Sequence, residues 1–204
     1  MNGDLVKNYA IITGDIVGSR KVKADFWLPI LQDTLTNCSA KFDIFRGDSF
    51  QLLVDLKDVL ECYFYIKARI KTISTLDVRM SIGIGAITYN DAHIKNSYGE
   101  AFLNSGEAFD QLDKNLIAIR TPWKEWDEMA IQTLDLAVEL ANKWTSNMAE
   151  TVAVVIRHKD ANQHELAKIL DRKYQSQVST EINKSNWYKI NRAIEYCTNQ
   201  LLQR

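Results

Sequence analysis

The chain is short of the residues that interrupt regular structure. Its 204 residues include 8 glycines and 2 prolines, and all of these lie before residue 124. Glycine and proline punctuate turns and hairpins and are avoided inside helices. Their disappearance after Pro122 predicts a first part, residues 1–124, that mixes strands with helices. It predicts a second part, 125–204, that is nearly all helical, with the joint at Arg120-Thr-Pro-Trp-Lys124. Cysteine is scarce as well. Cys38, Cys62 and Cys197 are far apart and form no CxxC pair, which excludes a disulfide framework and a zinc knuckle. His93, His158 and His164 show no metal-ligand spacing. Charge of one sign is also missing: 25 Lys and Arg against 26 Asp and Glu leave −1. That excludes nucleic-acid binding by bulk positive charge and an acidic tail. No apolar run approaches the ~18–20 residues of a membrane span. The stretch from Met1 to Asp15 has no basic region followed by an apolar core and a cleavage site. With 46% apolar and 25% charged residues, the expectation is a soluble, reduced, cytoplasmic globular protein with no membrane partner.

What is present reads as alternating elements. Tyr9-Ala-Ile-Ile-Thr13 suits a buried strand. Asp25 to Cys38 suits a helix with Asp25 as N-cap. Lys41–Arg46 and Ser49–Asp55 alternate like two strands joined at Gly47-Asp48. Leu56–Ser74 is a longer helix whose apolar positions 59, 60, 63, 66, 70 and 73 share one face. Val78–Thr88 is a strand containing Gly83 and Gly85, Gly99–Lys114 a helix, and Leu116–Arg120 a last strand. The first six elements make a split βαβ, ferredoxin-like unit. The fold class expected is α+β: this unit, followed by a helical domain. The second part reads as helices over Trp126–Trp144 and Ala149–His158, a short one after Asn162 with Glu165 completing a capping box, one capped by Ser176, and one over Trp187–Leu202.

Two aspartates carry the sharpest chemical signal. Asp15 ends the first strand in Gly14-Asp-Ile-Val-Gly-Ser-Arg20, and Asp48 sits on the hairpin in Phe45-Arg-Gly-Asp-Ser-Phe50. In a split βαβ sheet the end of the first strand and the tip of this hairpin lie side by side. Two carboxylates there suit Mg²⁺ or Mn²⁺ held against a nucleotide's phosphates. Ile16, Gly18, Ser19, Arg20, Arg46 and Gly47 would line the same place, with glycine-flanked backbone and two guanidiniums open to phosphate oxygens. The same residues also suit plain turn chemistry.

Asp15-Ile-Val-Gly-Ser19, Gly47-Asp-Ser-Phe50 and Arg79-Met-Ser-Ile-Gly-Ile-Gly85 resemble, in order and element type, the core of class III nucleotidyl cyclases. Over residues ~8 to ~200 the chain resembles the SatD-like family of small bacterial proteins, through these motifs and Gly99-Glu-Ala-Phe102. The cyclase resemblance implies a cyclase-palm-like fold, two metal aspartates and a homodimer. It does not imply cyclase chemistry. Ile44 stands where cyclases have a base-reading lysine. Ala108 stands where they have an arginine that stabilises transition-state charge.

The helical end contains its own motif. Gln163 to Ile182 resembles a helix-turn-helix, with Leu166, Ala167 and Leu170 facing inward and Val178 and Ile182 packing the second helix back. Ser176, Gln177, Ser179, Thr180 and Lys184 would then face outward, with side chains suited to base edges and phosphates of DNA. Arg172 and Lys173, in the turn, would touch backbone phosphate. From Arg157 to Arg192 eight basic residues against four acidic ones give a local charge of +4 in a neutral chain. A plain helical packing or protein-interaction module is the other reading of this segment. The sequence thus predicts a regulatory protein with a nucleotide- or phosphate-binding first part and a DNA-contacting second part. Its alternatives are a metal-dependent phosphoryl or nucleotidyl transferase using Asp15 and Asp48, and a non-catalytic dimerisation protein.

Overall fold

A computed structural model describes residues 7–204. Residues 1–6, where the reading of the N-terminus and the first predicted part begin, lie outside the described residues. The chain is a mixed α and β protein whose first part is built on six strands: β1 (Asn8–Val17), β2 (Phe42–Phe45), β3 (Ser49–Val54), β4 (Asp77–Tyr89), β5 (Tyr98–Gly99) and β6 (Ile117–Arg120). The order across the sheet is β2-β3-β1-β4, with every neighbouring pair antiparallel. β4 then pairs with both β5, antiparallel, and β6, parallel. β1 therefore lies at the centre, and its alternation divides the sheet into two chemically different faces. Ala10, Ile12 and Ile16, with Phe50, Leu52, Val78, Met80, Ile82 and Ile84 beside them, join the main apolar core with α1 (Ala24–Cys38) and α2 (Val59–Lys71). The opposite face carries Thr13, Asp15, Gln51, Arg79 and Ser81 in register.

Helix α3 (Glu100–Asp110) covers part of that polar face. Ser105 bonds the Thr13 hydroxyl at 2.7 Å, and its carbonyl accepts the Ser81 hydroxyl at 2.8 Å, so the seam between sheet and helix is polar but paired. Gly83 makes the close approach possible: a Cβ there would lie 2.0 Å from the Ser105 nitrogen.

The second part is helical as expected: α4 (Lys124–Asn142), α5 (Ser146–Arg157), α6 (Gln163–Ile169), α7 (Gln175–Lys184) and α8 (Trp187–Leu201). It does not stand apart from the sheet. α5 lies along α2, α4 packs on β6 and α8, and residues from both parts join one apolar core. This placement corrects the one-faced reading of α2. Phe64, Tyr65 and Ala68 are buried alongside the expected Val59, Leu60, Tyr63, Ile66 and Ile70, because α5 packs along α2 as well, and Lys67 is buried with its ammonium on Asp77 of β4. Two caps also differ from expectation. Lys23, not Asp25, holds the N-cap of α1, and Tyr174, not Ser176, that of α7, because each helix starts one or two residues earlier than its polar signal suggests.

Candidate functional site

β1 pairs Asp15 with Ser49 on one side and Arg79 on the other, so strand register alone places an arginine across from the first aspartate. The Arg79 guanidinium grips the Asp15 carboxylate through Nε at 2.8 Å and Nη2 at 2.7 Å. Asp48 is one residue beyond the β1–β3 ladder, and its carbonyl accepts the Ile16 N–H at 3.1 Å. Its carboxylate accepts the Ser19 hydroxyl at 2.5 Å. The hydrogen bonds from Arg79 to Asp15 hold the guanidinium above its ordinary pKa; burial opposes this, and the charges of Asp15 and Asp48 add to it. Arg79 thus hydrogen-bonds Asp15, while Asp48, bonded to Ser19, reaches that guanidinium only through the field of its charge. The Phe109 ring of α3 backs that cation at 5.4 Å from its centroid.

The glycine-rich turn after Asp15 is built as its sequence requires. Gly18, at φ 83°, enters a 3-10 turn over Ser19–Lys21, and the hairpin turns through Arg46 and Gly47 at φ 52° and 92°. Arg20, Arg46 and Gly47 are exposed, while Ile16 is buried beneath the sheet and offers only backbone. Beside the carboxylate lies an open cavity of about 360 Å³ lined by Asp15, Ile16, Val17, Arg79, Asp113, Lys114, Asn115 and Leu116. Arg79, Phe109 and Lys114 were not picked out from the sequence as site residues. For Arg79 a signal existed: in an antiparallel pair, a charge directly across from Asp15 is the expected cross-strand partner once register is fixed. Lys114 gave none, since it comes to the site only through the α3–β6 connection. Among the described residues no three His, Cys, Asp or Glu side chains converge as a metal-holding group.

At the helical end, Leu166, Ala167, Leu170, Val178 and Ile182 are all buried as expected. Asp171 turns the chain between α6 and α7 at φ 50°, the left-handed position for which glycine is the usual choice. Ser176, Gln177, Thr180, Lys184, Lys168 and Lys173 are exposed, and Ser179 is half-buried. Several of these side chains are engaged locally. Gln177 accepts the Tyr174 N–H at 3.0 Å, the Thr180 hydroxyl donates to the Ser176 carbonyl at 2.8 Å, and Lys173 lies over the Tyr174 ring. Arg172 does not point outward. It pairs with Glu150 of α5 at 2.8 Å and Glu181 of α7 at 3.3 Å, and donates to the Leu170 carbonyl, so it holds the turn rather than facing a phosphate.

Neither a scan against protein-family models nor a search of the curated proteins finds a match for this chain. No helix among the described residues is long and apolar enough to cross a membrane.

Proposed function

We propose that this chain is a regulatory protein of the SatD-like kind, in which α6 and α7 form a helix-turn-helix that contacts DNA. The sheet end at Asp15, Asp48 and Arg79 receives a phosphorylated ligand with Mg²⁺ or Mn²⁺. The observation that carries the DNA reading is the division of α7. Val178 and Ile182 are buried, while Ser176, Gln177, Thr180 and Lys184 face solvent with Lys168 and Lys173 beside them. A helix that only packed would not need that outward set free of the α/β part. One such module makes few contacts, so useful affinity calls for a homodimer reading two half-sites.

The strand order β2-β3-β1-β4 supports the ferredoxin-like, cyclase-palm-like description of the first part. For the ligand, the donor set fits a divalent ion on one condition. Asp15 and Asp48 supply two carboxylates, and Mg²⁺ is commonly held by one or two carboxylates plus phosphate oxygens. Arg79 already holds Asp15, so Asp15 and Asp48 would hold the ion only where a phosphate offers the Arg79 guanidinium another partner, for which its fork is suited. Arg20, Arg46 and Lys114 add positive charge around that place. The competing reading, phosphoryl or nucleotidyl transfer at the same aspartates, has less behind it, because Ile44 and Ala108 leave no charged group where such chemistry needs one.

The test is a titration of labelled duplex DNA with the full chain at two salt concentrations. Binding that weakens steeply with salt, and that Lys173→Ala with Lys184→Ala weakens alike on all sequences, supports the reading. Absence of salt-sensitive binding refutes it and leaves the helical part as an interaction module.

A further inference from the structure

A second cavity, of about 390 Å³, opens between the two parts of the chain and shares no lining residue with the one beside Asp15. Tyr65 and Arg69 of the first part line one side, and Ala153, Val154, Arg157 and His158 of the second line the other. Its size falls in the range of small-molecule sites.

The ends of α1, α2, α5 and α6 meet around this cavity, and helix C-termini present carbonyl groups that favour cations. Those carbonyls are largely taken. Arg157 donates to the Asn37 carbonyl and side-chain oxygen, the Thr72 hydroxyl to the Arg69 carbonyl at 2.7 Å, and the His158 N–H to the Val154 carbonyl at 3.0 Å. What is left over are donors. Among the described residues, the Tyr65 hydroxyl, the Arg157 Nε and the His158 ring make no hydrogen bond within the protein, Arg157 and His158 are exposed to solvent, and Arg157 has no carboxylate partner. Arg69 is paired with Asp33, and the Glu150 carboxylate at the rim is held by Arg172. The Arg157 guanidinium lies 5.7 Å from the centroid of the Tyr65 ring. Burial pushes the Tyr65 phenol up, and the charges of Arg69, itself held by Thr34 and Asp33, and of Arg157 oppose this.

Donors of three kinds around one open cavity suit an acceptor with several oxygens in different directions. A tetrahedral phosphate offers this, whereas a carboxylate offers two oxygens in one plane. Ile169, Ala153 and Val154 supply an apolar wall for the remainder of a small molecule. We propose that this cavity binds a small organic phosphate through Arg157, Tyr65 and His158, at a site separate from the sheet end. The inference does not rest on the DNA reading or on the Asp15 site. Its occupant would touch α2 and α5 together, and so would act where the two parts of the chain join.

Pyrophosphate serves as the probe, in thermal unfolding of the full chain with EDTA present and with NaCl at matched ionic strength as reference. EDTA removes divalent metal, and with it the ligand mode proposed at Asp15 and Asp48. The expected result is a rise in Tm on the order of 3 °C at about tenfold Kd. Arg157→Gln and Tyr65→Phe should each remove most of it, the second by losing one hydroxyl at unchanged shape, while Arg79→Gln should retain it. No rise in the wild type overturns the proposal, as does a rise that survives in both cavity variants. A rise lost in Arg79→Gln but kept in Arg157→Gln assigns the phosphate to the sheet end and also overturns it.

Discussion

Replacing Arg79 with glutamine tests whether the Asp15 carboxylate at the sheet end is held by the guanidinium across from it. The pair is bidentate, and its side chains are 38% and 19% exposed for Arg79 and Asp15. Hydrogen bonds to charged groups contribute about 1.5–3 kcal/mol, and partial exposure reduces this, so a coupling of about 1–2 kcal/mol is expected. A double-mutant cycle of Arg79→Gln and Asp15→Asn in urea denaturation measures it, since the cycle cancels the cost that each change has alone. For a chain of this length the single change should lower Tm by about 3–6 °C. The second readout is Mg²⁺ alone, without phosphate. In the wild type Arg79 competes for Asp15, and the ion should stabilise little. In Arg79→Gln the carboxylates lack that partner, and Mg²⁺ at about tenfold Kd should restore about 1.4 kcal/mol. A coupling near zero, or equal Mg²⁺ stabilisation of wild type and variant, would refute the exchange of partners proposed for this site.

Other expectations follow from the packing. Gly83→Ala should cost about 3 kcal/mol or more, because its Cβ would meet Ser105 and Ala101 backbone at 2.0 and 2.5 Å, and backbone on a packed helix cannot swing aside; a urea midpoint within error of wild type would contradict the described seam. Asp77→Asn should cost about 3–5 kcal/mol, since the fully buried Lys67 ammonium loses its carboxylate at 2.7 Å. Burial already lowers the Lys67 pKa, so the folded state binds fewer protons than the unfolded one between that lowered value and 10.5. Lys67 alone makes stability rise with pH through that window, while the Cys38 and Cys197 thiols, whose pKa is raised above 9.0 in the fold, make it fall. The readout is therefore the difference between variant and wild type: Asp77→Asn should gain more between pH 7 and 9.5, because the carboxylate that opposes the Lys67 shift is gone, and equal changes in urea midpoint would count against it. Arg172→Ala should cost about 1–3 kcal/mol by leaving Glu181 unpaired, and should reduce amide protection across α6 and α7 while the salt dependence of DNA binding keeps its slope. A reduced slope would instead mark Arg172 as a phosphate contact.

Much of the fold was legible because local signals and tertiary packing agreed. The Gly47-Asp48 hairpin, the long strand with Gly83 and Gly85, and the glycine-free helical end all appear where composition and periodicity place them. What the sequence did not disclose lies where residues distant in the chain meet. The seven-residue run from Tyr63 to Arg69 looks amphipathic only if α2 has one covered side, and nothing in its own pattern announces α5 on the other. Asp15 and Asp48 could be named because each stands beside a glycine at an element end. Arg79 could not be given its role without the β1–β4 register, and Arg172 looks like a free turn cation until Glu150 and Glu181 are seen around it. Sequence separates charges that are available from charges that are spent only when both partners lie close in the chain.

The burial of α2 on more than one side has a consequence for how the chain matures. A ribosome that has released residues 1–124 has made every strand among the described residues and the helix packed on them, yet the side of α2 that carries Tyr65 still awaits α5. Domains generally fold as units during synthesis, N-terminal first. Here the composition break at Pro122 marks a change of architecture but not a stopping point. The nascent sheet must hold an uncovered aromatic helix until the last 80 residues arrive to close over it.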